Sequence, residues 1–179
     1  MASNRSKIKG SNGERELAKF LSITFEASFV RSDNSGAFIG GKNIVRKAIL
    51  SDTQQRMRKG DIIPPDHMPR LVIEAKSYKE FRFHQLLQPG PCPLLDEWIE
   101  QTMMVLDPGD QWFVAFKVSM LGWYLAIPEA ECRDYTFENH CAYTGTHGAF
   151  RVTALPEFLR QNREILLKKA GPENNGLTK

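Results

Sequence analysis

The chain has 179 residues, of which 41% are hydrophobic and 10% aromatic, and its formal net charge is +3. A chain of this length and composition can bury the core of one domain, which argues against global disorder. No apolar run is long enough to cross a bilayer, and residues 1–9 lack the apolar segment of a signal peptide. We therefore expect a cytoplasmic location and no membrane partner.

Basic residues are concentrated in the first third of the chain. Residues 1–60 contain 12 Lys/Arg and 5 Asp/Glu, a balance of +7, whereas residues 61–179 contain 12 and 16, a balance of −4. Clustered cations, here including Lys42, Arg46 and Lys59, are typical of proteins that bind a polyanion such as nucleic acid. The alternative is a solvated surface with a flexible basic arm, and charge alone does not choose between the two.

The cysteines do not form a disulfide pattern, because they are three in number and widely spaced. Two of the cysteines lie near histidines and could bind zinc with them; these residues are Cys132, His140, Cys141 and His147. Neither a C-x-x-C nor an H-x-x-x-H spacing is present, so we expect ordinary core or loop residues and leave metal binding open.

The first elements predicted are a flexible basic arm over residues 1–10 and a helix that follows it. Ser11 or Asn12 can cap this helix, and its apolar residues recur at helical spacing as far as Phe25. Residues 27–31 are predicted to form a strand. A turn-rich loop and a long basic connection then extend to residue 59.

The later elements alternate between strands and helices. In chain order they are strands at residues 61–63 and 71–76, a helix at 94–106, strands at 112–118 and 123–127, a short strand at 151–154 and a helix at 156–169. Residues 128–150 are predicted to be irregular and residues 170–179 to be a flexible tail. The order predicts an α/β fold, a mixed sheet flanked by helices, in a single domain over residues 11–169.

Two aspartates compete for a place opposite Glu74. If residues 61–63 and 71–76 form an antiparallel hairpin centred near 67–68, Asp61 lies directly opposite Glu74, with Cβ atoms about 5 Å apart. Asp66, although it belongs to a literal Pro-Asp pair, would lie at the hairpin tip, about 20 Å from Glu74. We therefore select Asp61 and interpret Asp66 as a turn residue.

The first helix carries two acidic candidates on opposite sides. Glu14 lies three residues before Leu17 and so shares the inward face, whereas Glu16 is rotated by about 200° from Glu14 and faces away. An inward carboxylate is costly unless it is paired or bound to a metal. Glu14 is therefore a candidate ligand, and the alternative is a simple favourable interaction with the helix dipole.

Asp61, Glu74 and Lys76 together suggest a site for a hard cation. Alternation along a strand puts Glu74 and Lys76 on one face. Mg²⁺ prefers one or two carboxylates plus waters and phosphate oxygens, and the Ala75 carbonyl could supply a further oxygen. Lys76 beside the ion could orient a water or stabilise charge on a phosphate. The alternative is a cross-strand ion pair on the sheet surface.

The order of these motifs resembles that of the PD-(D/E)XK nuclease superfamily, and within it the archaeal-type Holliday junction resolvases. The resemblance covers about residues 7–127. It rests on Lys9-Gly10-Ser11 with Glu14-Arg15, Arg31 with Ser35-Gly36, Gly60-Asp61-Ile62-Ile63, Ile73-Glu74-Ala75-Lys76-Ser77, and Gln101 in the following helix.

The resemblance implies a restriction-endonuclease-like fold and a metal-dependent endodeoxyribonuclease. Glu14, Asp61, Glu74 and the Ala75 carbonyl would hold Mg²⁺, or Mn²⁺ as a substitute. Lys76 would be the catalytic lysine, and Ser35 a polar residue near the scissile phosphate. Members of the family act as homodimers in which each subunit cuts one strand of a four-way DNA junction.

The sequence departs from the family pattern in three segments. The loop between Ser35 and Asp61 is longer than in compact members, and residues 82–93 and 128–150 resemble insertions. Two alternatives therefore stay open beside junction resolution. One is a nuclease of the same superfamily that acts on another DNA structure, in nicking, repair or restriction, and the other is a catalytically silent DNA-binding protein.

Overall fold

A computed structural model describes residues 4–32 and 59–172, and for residues 4–9 it describes the backbone only. The helices are α1 (Asn4–Phe25), α2 (Pro93–Met103) and α3 (Leu155–Ala170), with single 3-10 segments at Phe83–Leu87 and Glu129–Asp134. The strands are β1 (Val30–Arg31), β2 (Ile62–Ile63), β3 (Leu71–Tyr78), β4 (Gln111–Val118), β5 (Gly122–Pro128), β6 (Cys141–Gly145) and β7 (Gly148–Ala154).

Across the described residues, the strands form one mixed seven-stranded sheet in the order β1-β2-β3-β4-β5-β7-β6. The pairing of β3 with β4 is parallel and the other pairings are antiparallel. A parallel pair needs a crossover connection, and α2 lies within it. The predicted α/β class, a restriction-endonuclease-like mixed sheet flanked by helices, is confirmed.

The sheet separates two apolar layers. On one face, α1 and α3 pack through Leu17, Leu21 and Phe158 onto side chains such as Ile73 and Phe113. On the other face, α2 packs through Leu95, Trp98 and Ile99 onto Val72 and Val114. Because side chains alternate along β3, its odd-numbered residues face α1 and its even-numbered residues face α2. This alternation directs Glu74 and Lys76 towards α2.

The predicted register between β2 and β3 is confirmed. Ile62 pairs with Ile73, which is the register that puts Asp61 opposite Glu74. Gly60 allows the chain before β2 to lie close to β3, since its φ is +67° and a Cβ there would lie 2.5 Å from the Ile73 carbonyl oxygen. A side chain at position 60 would therefore push Asp61 away from β3.

The start of α1 and the start of β1 were predicted wrongly. The first helix begins at Asn4, ahead of the predicted caps Ser11 and Asn12, although it ends at Phe25 as expected. Strand β1 occupies only the last two residues of the predicted strand 27–31. The reason is a turn after α1, in which the Ser22 hydroxyl accepts a hydrogen bond from the Phe29 N–H.

The prediction of an irregular segment at residues 128–150 was also wrong. This segment contains a 3-10 turn, strand β6 and the beginning of β7. The two strands pair as a hairpin in which Gly145 lies opposite Gly148, so the connecting loop has only two residues. Both strands extend the sheet on the side away from β3.

Among residues 4–32 and 59–172, no helix is both long enough and apolar enough to cross a bilayer.

Candidate active site

Asp61 and Glu74 form the centre of the candidate site. Both are buried, with 6% and 5% of their surface exposed. The Asp61 N–H donates to the Ile73 carbonyl at 2.9 Å, and the Ala75 N–H donates to Asp61 Oδ2 at 2.9 Å. Asp61 is thus held beside β3 by hydrogen bonds of both its backbone and its side chain.

The Ala75 carbonyl faces the same side of β3 as Asp61. In an extended strand the N–H and C=O of one residue point towards the same neighbouring strand. Since the Ala75 N–H reaches Asp61, its carbonyl oxygen lies on that side too. This placement is compatible with the ligand role predicted for Ala75.

The electrostatics of the pair favour an added cation. Burial, reinforced by the negative charge of Glu74 and of Glu14, raises the pKa of Asp61 to about 7. Nearby Lys76 and the Ala75 N–H oppose this rise without cancelling it. Two buried carboxylates with insufficient local positive charge are a donor set that suits a hard divalent ion, which usually takes one or two carboxylates in proteins.

Lys76 connects the carboxylates to α2. Its Nζ lies 2.7 Å from Glu74 Oε1 and donates a second hydrogen bond of 2.7 Å to Gln101 Oε1. Gln101 was expected in the helix after the E-x-K strand, and the structure brings it into contact with Lys76. The ammonium is held from two sides while its side chain remains partly exposed.

Glu14 lies near this centre, but its carboxylate is directed towards Arg31. Gly13, its neighbour, packs against the side chain of Ser77 on β3. Glu14 contributes to the negative potential at Asp61, and it forms a partly buried ion pair with the Arg31 guanidinium. The inward face predicted for Glu14 is confirmed. Its role as a metal ligand stays a prediction.

Glu16 occupies a different environment from Glu14. Both of its carboxylate oxygens accept hydrogen bonds from Lys117 Nζ, at 2.7 and 2.6 Å, and Trp123 Nε1 donates a third. The bonds from Lys117 are the main cause of a lowered pKa at Glu16. Glu16 therefore connects α1 to β4 and β5.

Asp66 and Ser35 are the remaining polar residues that the sequence analysis considered. Asp66 is an exposed turn residue, as the hairpin geometry predicted. Ser35 lies outside the residues that the structure describes, so its role stays a prediction.

Lys59 corrects the interpretation of the basic cluster. Its ammonium is largely buried, 2.7 Å from Asp107 Oδ2 and 2.6 Å from Asp110 Oδ2. It therefore stabilises the junction between the Asp61 segment and the chain before β4, and it is not an exposed cation for a polyanion. Counting charged residues along the sequence could not predict this pairing, or that of Arg31 with Glu14, because the partners are far apart in the chain.

The candidate metal centre consists of two carboxylates. Within residues 4–32 and 59–172, no three His, Cys, Asp or Glu side chains are grouped closely enough to hold an ion between them. Asp61 and Glu74 are therefore the two candidate ligands, and the nearby Glu14 is ion-paired with Arg31. The suggested zinc ligands Cys132, His140, Cys141 and His147 do not form such a group either. Cys132 is buried, and burial raises the pKa of its thiol to about 11.

The amino-acid sequence matches a known protein family. A family model described as "Phage putative PDDEXK endonuclease" matches residues 5–153, which is well over half of the chain and includes Glu14, Asp61, Glu74, Lys76 and Gln101. The chain belongs to this family. No curated protein and no solved structure matches it.

Membership makes the protein a PD-(D/E)XK endonuclease with DNA as its substrate. Nucleases of this superfamily generally use divalent metals, which agrees with the excess negative charge at Asp61 and Glu74. The superfamily predicted from the motif order is confirmed, whereas the resolvase subtype is a narrower assignment that family membership does not supply.

Proposed function

We propose that this endonuclease hydrolyses phosphodiester bonds at Asp61, Glu74 and Lys76, with Mg²⁺ as the natural metal and Mn²⁺ as a substitute. The observation that supports the proposal best is the contact of Lys76 with both Glu74 and Gln101, beside a buried Asp61 that lacks sufficient positive charge around it. Asp61, Glu74 and the Ala75 carbonyl would hold the ion, with Glu14 and Ser35 as further candidates. A cytoplasmic location is part of the proposal.

The roles of the side chains follow from their positions. A divalent ion at such a site would polarise the phosphate and increase the acidity of a bound water. Lys76, held by two acceptors, would donate a hydrogen bond to the attacking water or to a phosphate oxygen as negative charge develops there. Gln101 fixes the direction of the ammonium. Water attacks phosphorus and loses a proton to solvent, the bond to the leaving oxygen breaks, and that oxygen gains a proton from solvent.

We propose a branched substrate, the four-way junction in particular, and a homodimer in which each subunit cuts one strand. Support comes from the motif order, which runs from Glu14 through Asp61 and the E-x-K strand to Gln101. The geometry around Lys76 is equally suited to cleavage of other DNA structures, so the substrate needs its own test.

The site is tested by Glu74→Gln, with Glu97→Gln as the matched control on the exposed face of α2. Loss of one ligand should reduce Mg²⁺-dependent cleavage by about 100-fold or more, because a bound metal contributes several kcal/mol to such a reaction. Binding of DNA should change little. Undiminished cleavage by Glu74→Gln would exclude this carboxylate from the active site.

The substrate is tested by comparing cleavage of a four-way junction, a flap and a linear duplex of the same sequence. The resolvase assignment predicts symmetric nicks in the junction and much slower cutting of the other two. Equal rates on all three would reject junction specificity and leave the nuclease assignment intact.

A further inference from the structure

The turn between β4 and β5 exposes two large apolar side chains next to each other. Met120 is 100% exposed and Leu121 is 61% exposed. Neither side chain contributes to the two described apolar layers. Burying such side chains against a ligand would be favourable, so the tip offers a binding contribution that folding does not use.

The backbone at the tip is strained for a residue with a side chain. Met120 has a φ of +66°, in the left-handed region. The Leu121 N–H donates to the Val118 carbonyl at 3.1 Å, which makes Met120 the third residue of a four-residue turn. Glycine or asparagine is preferred at that position when φ is positive. Local conformation therefore gives no reason for a methionine here.

The tip lies at the end of β3 that carries Lys76. Lys76 pairs with Phe116 and Tyr78 with Val118, and the Ser119 N–H donates to the Tyr78 carbonyl at 3.0 Å. Met120 is four residues beyond the Lys76–Phe116 row, a span of at most about 13 Å, because the last of these residues form a turn. Since successive nucleotides of one strand are about 3.4 Å apart, the tip is within about four nucleotides of a phosphate held at Lys76.

Exposed cations border the same end of the sheet. Lys79 directly follows β3, and Arg82 comes three residues later, with the exposed acid Glu80 between them. This combination suits a nucleic acid, because its phosphates attract the cations and its bases can pack against the apolar tip.

We propose that Met120 and Leu121 form an apolar wedge that inserts between bases of the DNA within about four nucleotides of the cleaved bond. The inference rests on the proposed nuclease function and extends it to how the substrate is recognised. DNA that is already unstacked, such as a branch point, is the preferred class, because inserting a wedge into an intact duplex must first unstack its bases.

The test measures base unstacking in full-length Asp61→Asn protein, which keeps the DNA intact. DNA is labelled with 2-aminopurine, a base analogue that fluoresces when unstacked, at each position within four nucleotides of the cleavage site mapped with unmutated protein. We expect a fluorescence increase at one position, and its loss when Met120→Gly and Leu121→Ser are added. With Asp61 intact, the double substitution removes both side chains of the wedge and should lower kcat/KM by about tenfold or more.

Ile23→Ser is the matched control, because Ile23 is 68% exposed and lies ten residues along α1 from Gly13, which packs against Ser77. It should leave both the fluorescence and the cleavage unchanged. Glycine suits the conformation of residue 120, so thermal melting should show that the double variant is folded. If the DNA is bound and cut but no base unstacks, or if the double variant behaves like the parent, the wedge is refuted while the nuclease stands. Failure to bind or cut any DNA would instead refute the nuclease function.

Discussion

At the scale of single residues, Asp61 combines a buried carboxylate, which is costly for folding, with the metal-binding role that we propose for it. Its carboxylate is buried beside Glu74, which raises its pKa to about 7 from a value near 3.8. The folded protein therefore holds this proton more tightly than the unfolded chain does. The stability that this preference provides is fully present below pH 4, and it decreases as the pH rises through 7.

Asp61→Asn should therefore stabilise the metal-free protein at alkaline pH. The asparagine oxygen can still accept the Ala75 hydrogen bond, while the buried charge is removed. We expect the free energy of unfolding of the variant to exceed that of the parent by roughly 1–3 kcal/mol at pH 8, and the difference to shrink towards pH 5. Urea denaturation in EDTA across this range measures it. A variant that is less stable than the parent at pH 8 would contradict this account of Asp61.

At the scale of elements, the β6–β7 hairpin holds the start of α2. The Tyr143 hydroxyl donates to Asp96 Oδ1 at 2.6 Å and accepts from the Cys92 N–H at 2.7 Å, while Thr146 donates to Asp96 Oδ2 through its backbone and its hydroxyl. Burial of Asp96 opposes its ionisation, but the hydrogen bonds from Tyr143 and Thr146 outweigh it and lower the pKa. Asp96 precedes Gln101 by five residues, so the hairpin supports the helix that positions Lys76.

Tyr143→Phe should lower stability by about 1–3 kcal/mol, because it leaves a buried N–H and a buried carboxylate oxygen each short of a partner. Tyr124→Phe, on strand β5, is the control and should change stability by less than about 0.5 kcal/mol. Chemical denaturation of both variants compares them. Equal effects would mean that the Asp96 hydrogen bonds do not hold this hairpin to α2.

Local patterns predicted the β2–β3 register, and they missed the β6–β7 hairpin for a physical reason. The sum of paired residue numbers is constant in a hairpin, so a single choice of turn centre placed Asp61 opposite Glu74. Strand β6 has only five residues, and its alternation is weak. It is stabilised by Tyr143 and Thr146 binding Asp96, some 50 residues earlier in the chain, and no local pattern reports such a contact.

At the scale of the whole molecule, the fold brings some of the predicted site residues into contact. Asp61 contacts β3 from the β2 side and Gln101 contacts it from α2, so both meet the E-x-K strand, as the motif order suggested. Composition did not show which cations are internal. Lys59 pairs with Asp107 and Asp110, and Arg31 pairs with Glu14, so the charge imbalance of residues 1–60 overstates the cations that face a substrate.

We propose that Asp61, and not the literal Pro-Asp acid Asp66, belongs to a metal-dependent active site with Glu74 and Lys76. The most direct test compares Asp61→Asn with Asp66→Asn for Mn²⁺ binding by calorimetry and for Mg²⁺-dependent cleavage of DNA. We predict that Asp66→Asn matches the unmutated protein in both, whereas Asp61→Asn loses metal binding and at least about 100-fold in cleavage rate. Retained activity in Asp61→Asn together with loss in Asp66→Asn would contradict the account.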